Sequence, residues 1–406
     1  MGAYTTLLAA LVALLVGLTV GKAWERYKLR DGRWIDRRKA RESPHYILGL
    51  NFLVSNQIDL AIEELTRATG LTSEALEIEM ILGNLYREKG QVGRAVNIHQ
   101  GLLQRPKLTR LEHVYVLLCL GLDFKRGGFV DRALEAFNEV LRLDPHNHYA
   151  LVNLEMLHEQ QHQWEEAYRI RQQLTKASEP DERPRNHEIL AFLETQLGEL
   201  ARRQGDLPTA RAKFESAIDL EPRTAPAYVN LGDMKLADDQ VAQAIAIWEK
   251  LIEVSPERAY LTFERLQAAY PRGETPDRFP DLCRRLIQSK PNDWRARLAL
   301  ARYLAGREDP AAALELLLEA LAHNPHGLSI HQEIWKTLLQ LDLQRNLVER
   351  YVELTGRSVF YLDPHICLRC RYRSTELLWQ CPHCHEWNTF VEERITPAKD
   401  ADETQI

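Results

Sequence analysis

Hydrophobic positions along the chain follow three different patterns. Ala3 to Gly21 is a run of nineteen residues without a charged side chain. At 1.5 Å per helical residue it spans roughly 29 Å, about one hydrocarbon core. The long middle of the chain mixes apolar and polar positions with a helical period. Near the C-terminus, TELLWQ and EWNTFVEE alternate in the manner of short strands. These patterns predict an all-α protein of five segments. Residues 1–21 form a transmembrane helix and 22–41 a juxtamembrane segment. Residues 42–358 form a helical array, 359–392 a small module, and 393–406 a flexible tail.

The array has a period. LGLNF, LGNLY, LGLDF, LGELA and LGDMK align on Gly49, Gly83, Gly121, Gly198 and Gly232, and Glu155 of LEMLH fills the slot between the third and fourth. The spacings are 34, 38, 34, 43 and 34 residues. Twelve residues after each slot stands an alanine: Ala61, Ala95, Ala133, Ala167, Ala210 and Ala244. Proline closes several units, at Pro145, Pro222 and Pro256. Small residues where two antiparallel helices cross closely, with proline past the second helix, are the signature of tetratricopeptide repeats. Leu266 with Pro291, then Ala313 with Ala320 and Pro325, mark two further pairs, and Ile330 to Leu354 another helical stretch. Eight or nine helix pairs are expected, stacked into a superhelix whose concave face suits peptides or protein segments. Side chains one position after the Leu-Gly step, and those three further along, should line that face. Asn84, Arg87, Arg202 and Asp233 are the candidate partner-binding residues. Asn can pair with a bound backbone, and Arg can clamp a carboxylate with two hydrogen bonds.

Charge adds a direction to the apolar N-terminus. Lys22 to Arg41 holds nine Lys or Arg and three Asp or Glu, a local +6 within a chain of net charge −6. An acidic balance argues against a nucleic-acid binder. A basic collar immediately after an apolar run places the collar, and the body that follows it, on the cytoplasmic side. A cleaved signal peptide would need a positively charged segment ahead of the apolar run, and no charged side chain precedes it. MGAYTT also fits a myristoylation pattern, which a spanning helix makes redundant.

Four of the six cysteines fall within eighteen residues, as Cys367, Cys370, Cys381 and Cys384. C-x2-C-x10-C-x2-C places four thiolates on two short knuckles, a tetrahedral set for one metal ion, zinc or iron. The module is too small to bury a core alone, so metal and packing against the array must hold it, with Trp379 and Trp387 as apolar cover. Such a site leaves no open position for substrate chemistry. Cys119 and Cys283 lie in helical apolar patterns and read as reduced core residues. HEQQH, His158 to His162, matches a zinc-protease motif, but the repeat register ends a helix there and no third ligand follows. No phosphate-binding glycine loop or nucleophile elbow is present, so an enzyme is not expected.

YILGLNFLVSNQIDLAI, LGNLYREKGQVGRAVNIHQ and CLRCRYRSTELLWQCPHCHEWNTF together resemble the lipopolysaccharide assembly protein B family of Gram-negative bacteria, in order as well as in phrase. The resemblance implies a single-pass inner-membrane protein with a cytoplasmic repeat array packed on a rubredoxin-like metal domain. It implies a regulatory adaptor that helps an FtsH-type membrane protease degrade the deacetylase committing precursor to lipid A, alongside other lipopolysaccharide assembly proteins, with a homo-oligomer as one open form. It carries the metal-ligand role onto Cys367, Cys370, Cys381 and Cys384. Glycine usually follows each knuckle in rubredoxins, whereas Arg371 and His385 stand here. The alternative reading is a membrane-anchored redox module whose repeats dock an oxidoreductase.

Overall fold

A computed structural model describes residues 43–71, 76–106, 108–324, 327–341, 349 and 365–392. The transmembrane helix and basic collar expected over 1–41 lie outside these residues, as does the tail. Among the described residues, no helix is long and apolar enough to cross a membrane. Seventeen α-helices and three short strands are described, and the chain divides into two compact units between His162 and Gln163.

The first unit contains α1 (Pro44–Val54), α2 (Ile58–Leu71), α3 (Leu76–Glu88), α4 (Val92–Leu103), α5 (Arg110–Arg126), α6 (Val130–Leu143) and α7 (His148–Gln160). The second contains α8 (Trp164–Ala177), α9 (Arg183–Arg203), α10 (Leu207–Leu220), α11 (Ala225–Ala237) and α12 (Val241–Val254). A 3-10 turn, Pro256–Thr262, then leads into α13 (Phe263–Arg272) and α14 (Arg278–Ser289). Helices α15 (Trp294–Ala305) and α16 (Pro310–His323) follow, and then α17 (Leu328–Gln340). Five helix starts are marked by side chains that accept orphan backbone N–H groups. Thr109 and Glu112 form a reciprocal capping box, and Asn147, Asp206, Asp293 and Asp309 cap singly. Pro145, Pro222 and Pro256 each stand two residues past a helix end, where their rings cannot continue it.

The predicted crossings are present, and they show why glycine occupies its slot. A Cβ on Gly49, Gly121 or Gly198 would lie 2.7, 2.6 and 2.7 Å from Leu65, Phe137 and Phe214 respectively. Gly232 faces Trp248 in the same way. Each partner stands sixteen residues after its glycine, so the paired helices close onto one large side chain. Ala61, Ala95, Ala133, Ala167, Ala210 and Ala244 are completely buried. At the fourth slot Glu155 is itself buried within α7.

The C-terminal module departs from the strand prediction. Its sheet has order β2-β1-β3 and is antiparallel throughout, built from His365–Cys367 (β1), Arg373–Ser374 (β2) and Phe390–Glu392 (β3). EWNTFVEE supplies β3, but TELLWQ is not a strand. Leu377 and Leu378 turn towards the cysteine cluster instead, and the one ladder contact of the segment among the described residues is an isolated bridge from Gln380 to Trp387. The helical stretch expected over 330–354 is described as far as Gln340.

Candidate metal centre and its docking face

Each Cys-x-x-Cys pair closes a tight turn. Arg371 N–H donates to the Cys367 carbonyl at 2.9 Å, and His385 N–H donates to the Cys381 carbonyl at 2.9 Å. Arg371 and His385 both have left-handed backbone, φ 65° and 58°. That explains why glycine is usual there, and the two side chains carry the strain of the turn. The four sulfurs converge within 4.8 Å of one another, with Cys367 Sγ 3.7 Å from Cys384 Sγ and Cys370 Sγ 3.6 Å from Cys381 Sγ. Those separations exclude disulfides and match the edges of a tetrahedron with metal–sulfur bonds of about 2.3 Å. Among the described residues, no other group of three or more His, Cys, Asp or Glu is arranged for a metal.

Electrostatics ask for a cation. Burial, then hydrogen bonds to the other sulfurs, push the Cys384 thiol up to about 12. At Cys367 burial opposes ionisation, but hydrogen bonds from the Thr389 hydroxyl, 3.2 Å away, and from backbone N–H groups bring it down to about 6. Four sulfurs this close cannot all ionise without a positive charge among them. The chain thus holds one metal ion on four thiolates, and both zinc and iron suit that donor set.

The module docks on the middle of the second unit rather than on the C-terminal helices. Trp387 stacks on Phe192 of α9 with centroids 5.5 Å apart, and Trp379 tilts over the same ring at 5.9 Å. Ala167, Ile189 and Leu193 complete the apolar seat. Polar contacts surround it. Arg185 donates to the Trp387 carbonyl at 2.9 Å and to Glu386 at 3.2 Å, and Asn388 donates to Glu188 at 2.8 Å. Arg258, from the 3-10 turn, lies over Trp379 at 5.4 Å. The two tryptophans therefore join module to array as their apolar character predicts. Phe192 and Arg185, which complete the seat, gave no signal in the sequence beyond their helical pattern.

The four candidate partner residues have different fates. Arg87 is not a free groove side chain: its Nη1 donates to Asp123 at 2.9 Å, and Asp123 is fully buried. Asp123 also receives His99 Nδ1 at 2.5 Å. His99 is the buried side chain that meets Gly83, standing where Leu65, Phe137 and Phe214 stand in other repeats. Asn84 is half-buried beside this cluster, and its Oδ1 has no hydrogen-bond partner among the described residues. Asp233 accepts both forks of Arg265, at 2.6 and 2.9 Å. Arg202 alone is exposed and makes no ion pair among the described residues. Two of the three charges that the spacing rule selected, Arg87 and Asp233, serve internal bridges between helices.

Burial pushes the Cys119 thiol up, and pushes Cys283 up to about 12, as core cysteines require. HEQQH is not a helical metal pair: α7 ends at Gln160, and His162 lies beyond it with φ 57°.

Residues 365–392 match the rubredoxin metal binding domain family, and residues 195–247 match the tetratricopeptide repeat family. Across 358 residues the chain is 27% identical to lipopolysaccharide assembly protein B of Escherichia coli strain K12, covering 86% of this chain and 89% of that protein. The chain is a homologue of lipopolysaccharide assembly protein B. Lipopolysaccharide assembly protein B of Haemophilus influenzae is 26% identical over 393 residues, covering 94% of this chain and 97% of that one. Both alignments are long enough to span repeats and metal module in one order. Among solved structures, the C-terminal part of a tetratricopeptide-repeat protein from Cytophaga hutchinsonii is 14% identical, with TM-score 0.41, over 71% of this chain and 99% of that one.

Proposed function

We propose that the chain is a non-catalytic adaptor in lipopolysaccharide assembly, held at the bacterial inner membrane with its bulk in the cytoplasm. In this reading it brings the deacetylase that commits precursor to lipid A within reach of an FtsH-type membrane protease. The observation that carries it is the likeness to lipopolysaccharide assembly protein B over most of the chain, with the metal module and part of the repeats matched separately. Repeat arrays of this kind present long surfaces for protein segments, and a closed four-thiolate site has no position for substrate chemistry. The anchor rests on the sequence itself, nineteen residues without a charged side chain followed at once by a basic collar.

The membrane is part of the mechanism. Confinement beside another membrane protein raises effective concentration without any new contact. Deleting residues 1–21 should leave a folded protein that no longer shortens the deacetylase half-life. Pulse-chase of the deacetylase, with full-length and truncated chain at matched abundance, measures this directly. Unchanged deacetylase turnover on loss of the whole protein would reject the adaptor reading. Reversible one-electron chemistry in an iron-loaded form, coupled to a captured oxidoreductase, would favour the redox alternative.

A further inference from the structure

A cleft of about 620 Å³ opens along the seam between metal module and repeats, within the second unit. Its volume lies in the range of small-molecule sites. One wall comes from the repeats, with Arg223, Arg258 and Tyr260, and the other from the module, with His365, Trp379 and Asn388. Two cations on the repeat wall, Arg223 and Arg258, form no ion pair among the described residues, whereas Arg185 is held by Glu188 and Glu386. The Arg223 side chain is exposed and forms no hydrogen bond or ion pair among the described residues. Arg258 is held over Trp379 and reaches only the Asn388 amide and the Phe390 carbonyl, both at 3.4 Å. Arg295, also lining the cleft, has its guanidinium 4.0 Å from the Tyr260 ring centroid. On the module side, His365 Nδ1 is buried with no hydrogen-bond partner among the described residues.

Two of the three glutamates lining the cleft already accept hydrogen bonds. Glu188 pairs with Arg185 and Asn388, and Glu221 accepts the Arg223 backbone N–H. Glu257 remains, exposed on the cleft. The Arg258 guanidinium, pinned over Trp379, is a pre-organised fork for a phosphate and loses little freedom on binding it. A compact dianion could reach several such groups at once, whereas an extended acidic segment would also meet the three glutamates.

We propose that this cleft binds a phosphate monoester of a small polar molecule, with Arg223 and Arg258 recognising the phosphate and His365 completing its hydrogen bonds. Because the ligand touches both walls, it strengthens docking of the module, and by reciprocity the docked, metal-loaded module strengthens the ligand site.

The test uses metal-loaded, full-length protein in detergent, titrated calorimetrically with glucose 1-phosphate and pyrophosphate. Glucose and sodium sulfate at matched ionic strength serve as controls. Saturable binding of a phosphate probe is expected, weakened at least about tenfold by Arg223→Glu. Glu257→Gln should tighten it severalfold, and the bound probe should slow metal loss to a chelator. Absence of saturable phosphate binding would overturn the assignment. Equal binding of sulfate, an unchanged affinity in Arg223→Glu, or binding of an acidic peptide alone would do the same.

Discussion

At Gly83, in the first unit, the helix crossing is closed by His99, which hydrogen-bonds a buried Asp123 that also receives Arg87. At Gly198 and Gly232, in the second unit, the same crossing is closed by Phe214 and Trp248. An aromatic ring fills the space in each case, yet the chemistry differs. An apolar crossing gains from burial alone, whereas a polar one holds only while every member of its network is present. The second unit has a further support that is not described for the first. A metal-held module lies across its helices through Trp379 and Trp387. One repeat pattern thus rests on buried charge in one place and on an aromatic and metal clasp in another.

Metal removal should separate the two regions most sharply. Binding energy at such a site is folding energy, of order 10 kcal/mol for small structural zinc modules. Chelation, or Cys367→Ser, should unfold the module and raise hydrogen exchange over residues 183–203 and 256–262. Residues 76–126 should keep their protection. Equal loss in both regions would mean that the clasp supports the whole chain.

Asp123→Ala should do the converse. It leaves Arg87 and His99 without their carboxylate, and breaking a buried pair in this way costs about 3 to 5 kcal/mol. Denaturant unfolding followed by exchange should place the loss in residues 76–126, with metal content unchanged. Arg87→Ala is milder, since His99 still pairs with Asp123, and about 1 to 3 kcal/mol is expected. An Asn84→Ala, Arg87→Ala double variant therefore reports on stability as well as on partner capture, and its pull-downs need a thermal melt beside them. If the melt is unchanged, the ion pair contributes nothing and Arg87 is free for a partner.

The smallest effect should be a gain. Arg371 holds a left-handed backbone that costs a side-chain-bearing residue roughly 1 kcal/mol. Arg371→Gly should retain metal slightly better in competition with a chelator. Weaker retention would show that the arginine side chain supports the knuckle in some other way.

Much of this was legible in the chain. The glycine and alanine slots gave the crossings, and prolines two residues past helix ends gave several boundaries. The fixed spacing of four cysteines gave the metal set, because short knuckles leave few other arrangements for thiolates. The alternation in TELLWQ misled: in so small a module the metal cluster and Leu378 packing override strand periodicity. The residue sixteen positions after each glycine was a missed signal, since it reveals His99 as a polar side chain in an apolar slot.

Sequence by itself determined the repeat, its crossings and the metal ligands, because each depends on residues near one another in the chain and on the next repeat along. Tertiary structure alone decided where the module sits, which charges are internal, and that a cleft opens between them. Arg185 meets Trp387 across 202 positions, and Arg87 meets Asp123 across 36. Such contacts depend on shape and charge matched between distant surfaces, and no local periodicity encodes them.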